Sequence, residues 1–294
     1  KERLPMKLGA VFPQTEIGPD PQTVRRYVEA VERMGFDYLL TYEHVLGVEP
    51  DRYNARGWSY TGEDPFHEPF VLFGYLAAIT QRLELVTGIL VLSQRNTQVV
   101  AKQAAEVDRL SGGRLRLGVG VGWNAEEIRA MGYNPRTRGR RMDEQVRLLR
   151  ALWSEPYVDF EGEFHTLRGL GINPLPLKRQ IPLWFGGTSD AALRRMAAYG
   201  DGWIAQSVSP ERGRPMVDAL RGYLADAGRD PAAFGLDARL SLKQQPPETW
   251  PEYIGGWRAL GATHFCCNTM GMGFRSIDEH LAALGEFQAF IGQR

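Results

Sequence analysis

The chain has 294 residues, of which 43% are hydrophobic and 24% are charged, the ordinary composition of a soluble globular protein with a sizeable core. Its 35 basic and 35 acidic side chains balance, which argues against broad binding to nucleic acids or anionic membranes. No apolar run approaches the ~18 residues needed to span a bilayer, and no basic-then-apolar leader opens the sequence, so we expect a cytoplasmic protein with neither a membrane nor nucleic acid as a partner.

Apolar, β-branched runs alternate with segments of helical spacing along the whole chain. Eight of the runs are predicted strands, at 6–12, 37–41, 85–92, 115–121, 182–185, 202–206, 235–242 and 263–268. The predicted helices lie at 21–34, 68–80, 101–110, 124–132 continued at 138–153, 189–199, 210–228, 251–260 and 276–291. Strands that alternate with helices in this way are typical of a parallel sheet.

The stretch 83–122 is the clearest of these units, because a strand, a helix and a second strand follow one another with little loop between them. Its helix stops at Ser111-Gly112-Gly113, and its second strand ends in the glycine-rich run Gly118-Val119-Gly120-Val121-Gly122. Glycine at the end of a buried strand lets a ligand approach the backbone closely. Parallel sheets place ligand sites at the carboxyl ends of their strands, so this end is the predicted working face.

Eight strand–helix units favour a (β/α)8 TIM barrel, an α/β fold of suitable length for this chain. The alternative, a doubly wound open sheet, would usually show a Gly-x-Gly-x-x-Gly turn after the first strand, where this chain has Phe12-Pro13-Gln14. Segment 157–180 interrupts the alternation with FEGEFHTL and a Gly/Pro-rich stretch, which predicts a hairpin insertion and a tether before strand five. We therefore predict one domain over 1–294.

The predicted strand ends are poor in metal ligands. Only His44, among five histidines, follows a strand beside a carboxylate, so the sequence predicts no metal site. Cys266 and Cys267 are adjacent, and neighbouring side chains on a strand point to opposite faces. Buried thiols in a reducing compartment are favoured over a redox pair, since no Cys-x-x-Cys motif is present.

Glycines, backbone amides and a few polar side chains occupy the strand ends instead, which suits a large cofactor that carries its own chemistry. Glu43-His44 follows strand two and is the candidate catalytic pair. The loop behind it carries four aromatic residues, Tyr53, Trp58, Tyr60 and Phe66. They could stack over a planar ring, and a structural lid with no ring beneath it is the alternative.

Gly186-Gly187-Thr188 follows strand five directly and opens a helix. Bare glycine amides at a helix N-terminus form a cradle for a phosphate group, to which Thr188 could add a hydroxyl. The alternative is a plain turn in which Ser189 or Asp190 caps the helix.

Several segments together resemble the bacterial luciferase-like superfamily of flavin oxidoreductases, and within it the branch of F420-dependent oxidoreductases. They are TGILVLSQRN, AKQAAEVDRLSGGRLRLGVGVGWNAEE, FEGEFHTL, PLWFGGTSDAALRRMAAYGDGWI and GATHFCCNTMG, in the family's order over nearly the whole chain. The resemblance implies a (β/α)8 barrel, often a homodimer, that binds FMN or the deazaflavin F420 at the carboxyl-terminal mouth.

Carried over position by position, the resemblance implies that Glu43-His44 lies near the cofactor ring, with the histidine as proton donor or acceptor. It also implies that a cis peptide at Gly88-Ile89 lies behind the ring. The residues expected to bind the cofactor are Gly88, Ile89, Gly120, Trp123, Asn124, Glu126, Gly186, Gly187, Thr188 and Gln206.

Two positions differ from the F420-dependent glucose-6-phosphate dehydrogenases of the same superfamily. Those enzymes carry a tryptophan four residues after the histidine, where this chain has Val48, and a glutamate after the strand-four glycines, where it has Trp123. The sequence therefore argues against sugar-phosphate oxidation by the mechanism of those dehydrogenases.

Three functions remain open from the sequence. The favoured one is an F420-dependent oxidoreductase that moves a hydride between the deazaflavin and a small organic substrate. The second is an FMN-dependent monooxygenase that uses O2 and a partner flavin reductase. The third is a catalytically silent barrel that binds a flavin or another ligand without turnover, against which Glu43-His44 argues mildly.

Overall fold

The computed structural model describes residues 6–55, 58–206 and 208–292. Its strands are β1 (Lys7–Val11), β2 (Tyr38–Thr41), β3 (Glu84–Thr87), β4 (Leu90–Val91), β5 (Leu115–Gly120), β6 (Val158–Glu161), β7 (Thr166–Leu170), β8 (Leu183–Gly186), β9 (Gly202–Ala205), β10 (Gly235–Ser241) and β11 (His264–Asn268). Its α-helices are α1 (Gln14–Ile17), α2 (Pro21–Arg33), α3 (Pro69–Ile79), α4 (Thr97–Leu110), α5 (Ala125–Ala130), α6 (Arg138–Ser154), α7 (Asp190–Tyr199), α8 (Pro210–Asp226), α9 (Trp250–Ala259) and α10 (Ile277–Gly292).

Eight parallel strands close into a barrel, which confirms the predicted fold class. The strands run in the order β3, β2, β1, β11, β10, β9, β8 and β5, and the pairing of Leu85 with Leu115 joins β3 to β5 and closes the ring. Each barrel strand lies within a few residues of its predicted position. The helices pack outside the barrel, so the strands are buried on both faces and are mostly apolar.

The third predicted strand, 85–92, is split in the structure. β3 ends at Thr87, the chain bends through Gly88 and Ile89, and β4 then pairs Leu90 with Val119 of β5. The four-residue helix α1 was not predicted from the sequence.

The predicted insertion is an antiparallel hairpin of β6 and β7 between α6 and β8. Glu144 of α6 holds its turn, accepting hydrogen bonds from the amides of Glu163 at 2.7 Å and Phe164 at 2.9 Å. The same carboxyl group lies 2.7 Å from Nδ1 of His165. These contacts fix the hairpin to the barrel on the outside, at α6.

A buried ion pair lies in the barrel interior. Arg116 of β5 donates to Asp237 of β10 at 3.0 Å, and its guanidinium lies between the rings of Tyr38 and Trp184. The hydroxyl of Tyr38 donates to Asp237 at 2.7 Å. Because both charges are paired and hydrogen-bonded, they can occupy a position that water does not reach.

Cys266 and Cys267 are both buried and free. The first faces the barrel interior and the second the layer between sheet and helices, as alternation along β11 requires. Burial raises the pKa of Cys266 to about 12 and also raises that of Cys267. The thiolate is therefore disfavoured at both positions, which fits core packing better than redox chemistry.

Candidate functional site

A cavity of about 530 Å³ opens at the carboxyl ends of the barrel strands. Its walls come from the segments after β1, β2, β3, β5, β9, β10 and β11. The lining residues are Thr15, Glu16, Tyr42, Glu43, His44, Ser59, Tyr60, Asp64, Phe66, Gly88, Ile89, Val91, Gly122, Trp123, Gln206, Lys243, Met270 and Gly271. The volume falls within the range of ordinary small-molecule sites, roughly 300–1,000 Å³.

His44 lies in this wall directly after β2, and its side chain is 15% exposed. Its Nδ1 lies 3.1 Å from Oε2 of Glu127, which belongs to α5. The imidazole is stacked on the ring of Tyr60 and meets the edge of Phe66. A carboxylate on one nitrogen and aromatic rings on two sides give the imidazole one fixed orientation.

Glu127 is 3% exposed and accepts five hydrogen bonds. The donors are the amides of Val45 (2.7 Å) and Leu46 (3.3 Å), the side-chain amide of Gln94 (2.8 Å), the hydroxyl of Tyr60 (3.1 Å) and His44.

Burial alone would raise the pKa of Glu127. The hydrogen bonds from His44, the Val45 amide and Gln94 outweigh it and hold that pKa below its usual value. Since the carboxylate is ionised at neutral pH, it accepts a hydrogen bond from Nδ1–H of His44. The neutral ring then carries its free lone pair on Nε2.

Glu43, the sequence neighbour of His44, faces a different partner. Its carboxylate accepts from Nε of Arg95 at 2.6 Å and from the amide of Val91 at 2.5 Å. Burial raises the pKa of Glu43 to about 6, although Arg95 opposes the shift. Glu43 therefore secures the segment after β3, and the residue that orients His44 is Glu127.

The Gly88–Ile89 peptide bond is cis, as predicted, and both residues line the cavity. Glycine is required at position 88, because a Cβ there would lie 2.1 Å from the side chain of Leu40. The side chain of Ile89 lies over two other glycines. A Cβ on Gly120 would come within 2.7 Å of Ile89, and one on Gly186 within 2.9 Å.

Aromatic residues cover the outer side of the cavity. Tyr60 and Phe66 come from the loop after β2, and Trp123 from the loop after β5. Trp58 meets the edge of Trp123 at 5.4 Å between ring centroids, so the two loops touch across the mouth. Tyr53 is exposed and is not among the lining residues.

Asn124 and Glu126 lie beside the cavity and do not line it. The side chain of Asn124 caps α5, accepting from the amides of Glu126 and Glu127, and donates to the hydroxyl of Tyr60 at 3.2 Å. Glu126 is half-buried and paired with Arg129. The sequence analysis named Glu126, whereas the carboxylate that contacts His44 belongs to the next residue, Glu127.

Gly186 ends β8, Gly187 and Thr188 follow it, and none of the three lines the cavity. Gly187 has φ of +118°, a conformation that side chains rarely adopt, and its carbonyl accepts from Nε1 of Trp203 at 2.9 Å. Ser189 caps α7, accepting from the amide of Ala192. Gln206 is exposed and lines the cavity from the end of β9.

Lys243 and Met270 also line the cavity, and of the two Lys243 was not singled out from the sequence. Met270 follows the last barrel strand, β11, which ends at Asn268. Lys243 begins the polar run Lys243-Gln244-Gln245 after β10, and its position at a strand end is a signal that could have found it.

The residues that the structure describes contain no cluster of three histidine, cysteine or acidic side chains that could hold a metal ion. Within the same residues, no helix has both the length and the apolar character needed to cross a membrane.

The protein is similar to a family profile, to individual protein sequences and to solved structures. The sequence profile of the luciferase-like monooxygenase family matches residues 6–286. An uncharacterised protein of Mycobacterium tuberculosis is 28% identical over 94% of this chain and 95% of its own length. The FMNH2-dependent dimethylsulfone monooxygenase of Pseudomonas putida is 30% identical over 69% of this chain and 54% of its own length.

Two solved structures share the fold. An F420-dependent secondary alcohol dehydrogenase in complex with an F420–acetone adduct superposes with a TM-score of 0.74, at 18% identity over 94% of this chain and 98% of that one. The monooxygenase RslO1 of Streptomyces bottropensis superposes with a TM-score of 0.73, at 20% identity over 96% and 98% of the two chains. Because the family profile spans almost the whole barrel, this chain belongs to the luciferase-like monooxygenase family of oxidoreductases.

Proposed function

We propose that the protein is an F420-dependent oxidoreductase that transfers a hydride between the deazaflavin and a small organic substrate. The observation that carries this proposal is that His44, which lines the cavity, is held by the buried carboxylate of Glu127. Removing a hydride from a carbon that bears a hydroxyl group requires a base for the hydroxyl proton, and an oriented neutral imidazole suits that task.

The residues at the mouth fit a flavin-like cofactor. The Gly88–Ile89 backbone lines the cavity without a side chain at position 88, which leaves a flat wall for a planar ring. Gly187 and Thr188 are exposed at the end of β8, ahead of the N-terminus of α7, and would hold the phosphate group. The proposed cofactor-binding residues are Gly88, Ile89, Gly120, Trp123, Gly186, Gly187, Thr188 and Gln206.

The bound deazaflavin would supply hydride transfer at its ring, which the protein cannot perform with its own side chains. Nε2 of His44 accepts the proton of the substrate hydroxyl group as the carbon loses its hydride, and returns it to the carbonyl oxygen in the reverse direction. Glu127 keeps Nδ1 protonated and stabilises the imidazolium that forms. Tyr60, Phe66 and Trp123 restrict water at this face.

The cofactor is tested by titrating the purified protein with F420 and, separately, with FMN, following the fluorescence of each. We expect saturable binding of F420 and weaker binding of FMN. A screen of secondary alcohols and carbonyl compounds with oxidised and reduced F420 then tests hydride transfer. Saturable binding of FMN alone would contradict the proposal.

An FMN-dependent monooxygenase is the second candidate function, and the sequence likeness to the dimethylsulfone monooxygenase favours it. Such an enzyme would need a flavin reductase as partner. Consumption of O2 that depends on both reduced FMN and an organic substrate would support it. No such consumption is expected for the F420 enzyme. A homodimer is proposed for either case and is checked by light scattering.

A further inference from the structure

A second cavity of about 440 Å³ lies beside the first, at the carboxyl ends of β9, β10 and β11. The two cavities share Tyr42 and Gln206 as lining residues. The others in the second cavity are Val208, Ser209, Arg212, Arg239, Ser241, Gln244, Gln245, Tyr253 and Asn268. Its lining is mostly polar, so it is unsuited to an apolar group.

Arg239 forms the floor of this second cavity. It belongs to β10, is only 6% exposed, and uses Nη1 to donate to the hydroxyl of Tyr42 at 2.8 Å. Its Nε and Nη2 are buried and have no hydrogen-bond partner among the described residues. No carboxylate in the described part of the chain forms an ion pair with it. Asp237, two residues earlier on the strand, is already paired with Arg116.

An arginine that is buried with two unpaired nitrogens is costly unless something pairs with it. A carboxylate or phosphate group pairs well with a guanidinium. Arg239 lines the cavity with a positive charge that forms no ion pair with a described carboxylate, so the cavity favours an anionic ligand.

The remaining lining favours the same ligand chemistry. Arg212 adds a second positive charge from the first turn of α8, a helix of 17 residues whose N-terminus opens here with Ser209 as its cap. Ser241 and Asn268 contribute a hydroxyl and a side-chain amide from the ends of β10 and β11. Among the described residues that line this cavity, none is acidic.

We propose that this second cavity binds an anionic group, a carboxylate or a phosphate, of the substrate whose reacting carbon lies beside His44. The inference rests on the proposed function for the assignment of the main cavity. The shared residues Tyr42 and Gln206 place the two cavities side by side, so a molecule that extends past these residues would reach both. The cofactor phosphate is assigned to the turn after β8, which contributes no residue to this cavity. The substrate class is therefore a small organic acid or a phosphate ester.

Binding of the anion is measured by calorimetric titration with inorganic phosphate and, separately, with acetate. Both titrations use the protein without cofactor and the protein saturated with F420. We expect at least one of the two anions to bind with one-to-one stoichiometry in both forms. The anion that binds more tightly identifies the phosphate or the carboxylate as the ligand chemistry.

Two variants locate the binding. Arg239→Gln should weaken binding of the anion at least tenfold, and Arg212→Gln, at an exposed position that tolerates substitution, should weaken it severalfold. Arg214→Gln is the matched control, since it removes the same charge from the same helix outside the cavity, and should bind like the wild type. Thermal melting shows whether each variant is folded, and Arg212→Gln keeps the test valid if Arg239→Gln does not fold.

Three results would overturn the proposal. They are no anion binding by the wild-type protein, equal binding by the wild type and both cavity variants, and displacement of the anion by F420 or FMN, which would assign the cavity to the cofactor. Failure of F420 to bind, with anion binding still lost in the two variants, would instead refute the proposed function and leave the anion site standing.

Discussion

The carboxylate of Glu127 lies 3.1 Å from Nδ1 of His44, although 83 residues separate them in the chain. β2 delivers the histidine and the first turn of α5 delivers the glutamate, because the ends of barrel strands meet at one rim. The same carboxylate accepts the amides of Val45 and Leu46, so it fixes the backbone that carries the histidine as well as its ring.

Replacing His44 by alanine should lower turnover by ~10²–10⁴, the usual range for lost acid/base catalysis, while F420 affinity stays near that of the wild type. Turnover is measured with a substrate found by the alcohol and carbonyl screen, and affinity by fluorescence titration. His67→Ala is the control, because this second histidine near the mouth does not line the cavity. Wild-type turnover in His44→Ala would show that the histidine only lines the cavity and takes no part in catalysis.

Glu127→Gln tests a positioning residue. Glutamine keeps the shape but loses the charge that holds Nδ1 protonated, so kcat should fall by roughly 10–100-fold with little change in KM or in F420 affinity. Glu127→Asp should recover part of the loss. Glu126→Gln is the matched neighbour, since Glu126 pairs with Arg129 outside the cavity, and should behave as the wild type. Equal losses in both glutamine variants would contradict the assignment of Glu127.

Hydrophobic periodicity was enough to predict the barrel and its strand ends. Residues buried on both faces of a parallel strand are mostly apolar, and each such run in this chain became a barrel strand. Strand ends then nominate mouth residues, which is how His44 was found. The cis bond at Gly88–Ile89 came from the family resemblance, since no local pattern of residue types requires it.

Side-chain partners across the barrel could not be predicted from the sequence. Asn124-Ala125-Glu126-Glu127 offers two adjacent carboxylates, and only the helix phase after the Asn124 cap decides which one turns inward. The pairing of Arg116 with Asp237 likewise depends on strands 121 residues apart. Such contacts depend on register around the closed barrel, which no single segment encodes.

Gly187→Val should raise the dissociation constant for F420 at least tenfold. A Cβ at this position would approach the Cβ of Ala192 to 3.0 Å, and the φ of +118° is one that valine resists. Gly169→Val is the matched control, because it imposes a positive φ on valine in the distant hairpin where a Cβ meets nothing. Melting curves first confirm that both variants fold. Fluorescence titration then separates a loss of phosphate binding from the general strain of a positive φ on valine. Equal, wild-type affinity in both would place the phosphate elsewhere.

Acid should destabilise the protein through His264, at the start of β11. Burial, with Arg116 and Lys7 nearby, lowers the pKa of His264 to about 2, whereas an unfolded histidine titrates near 6.5. Between these values the unfolded state binds more protons, so the stability conferred by the neutral ring is complete above pH 6.5 and is lost as pH falls below it. In this range the free energy of unfolding falls by on the order of 1 kcal/mol per pH unit. Urea unfolding at pH 7 and pH 5 should therefore show a larger drop for the wild type than for His264→Gln, whose side chain does not titrate. Identical drops in the two proteins would mean that His264 accepts its proton without unfolding the barrel.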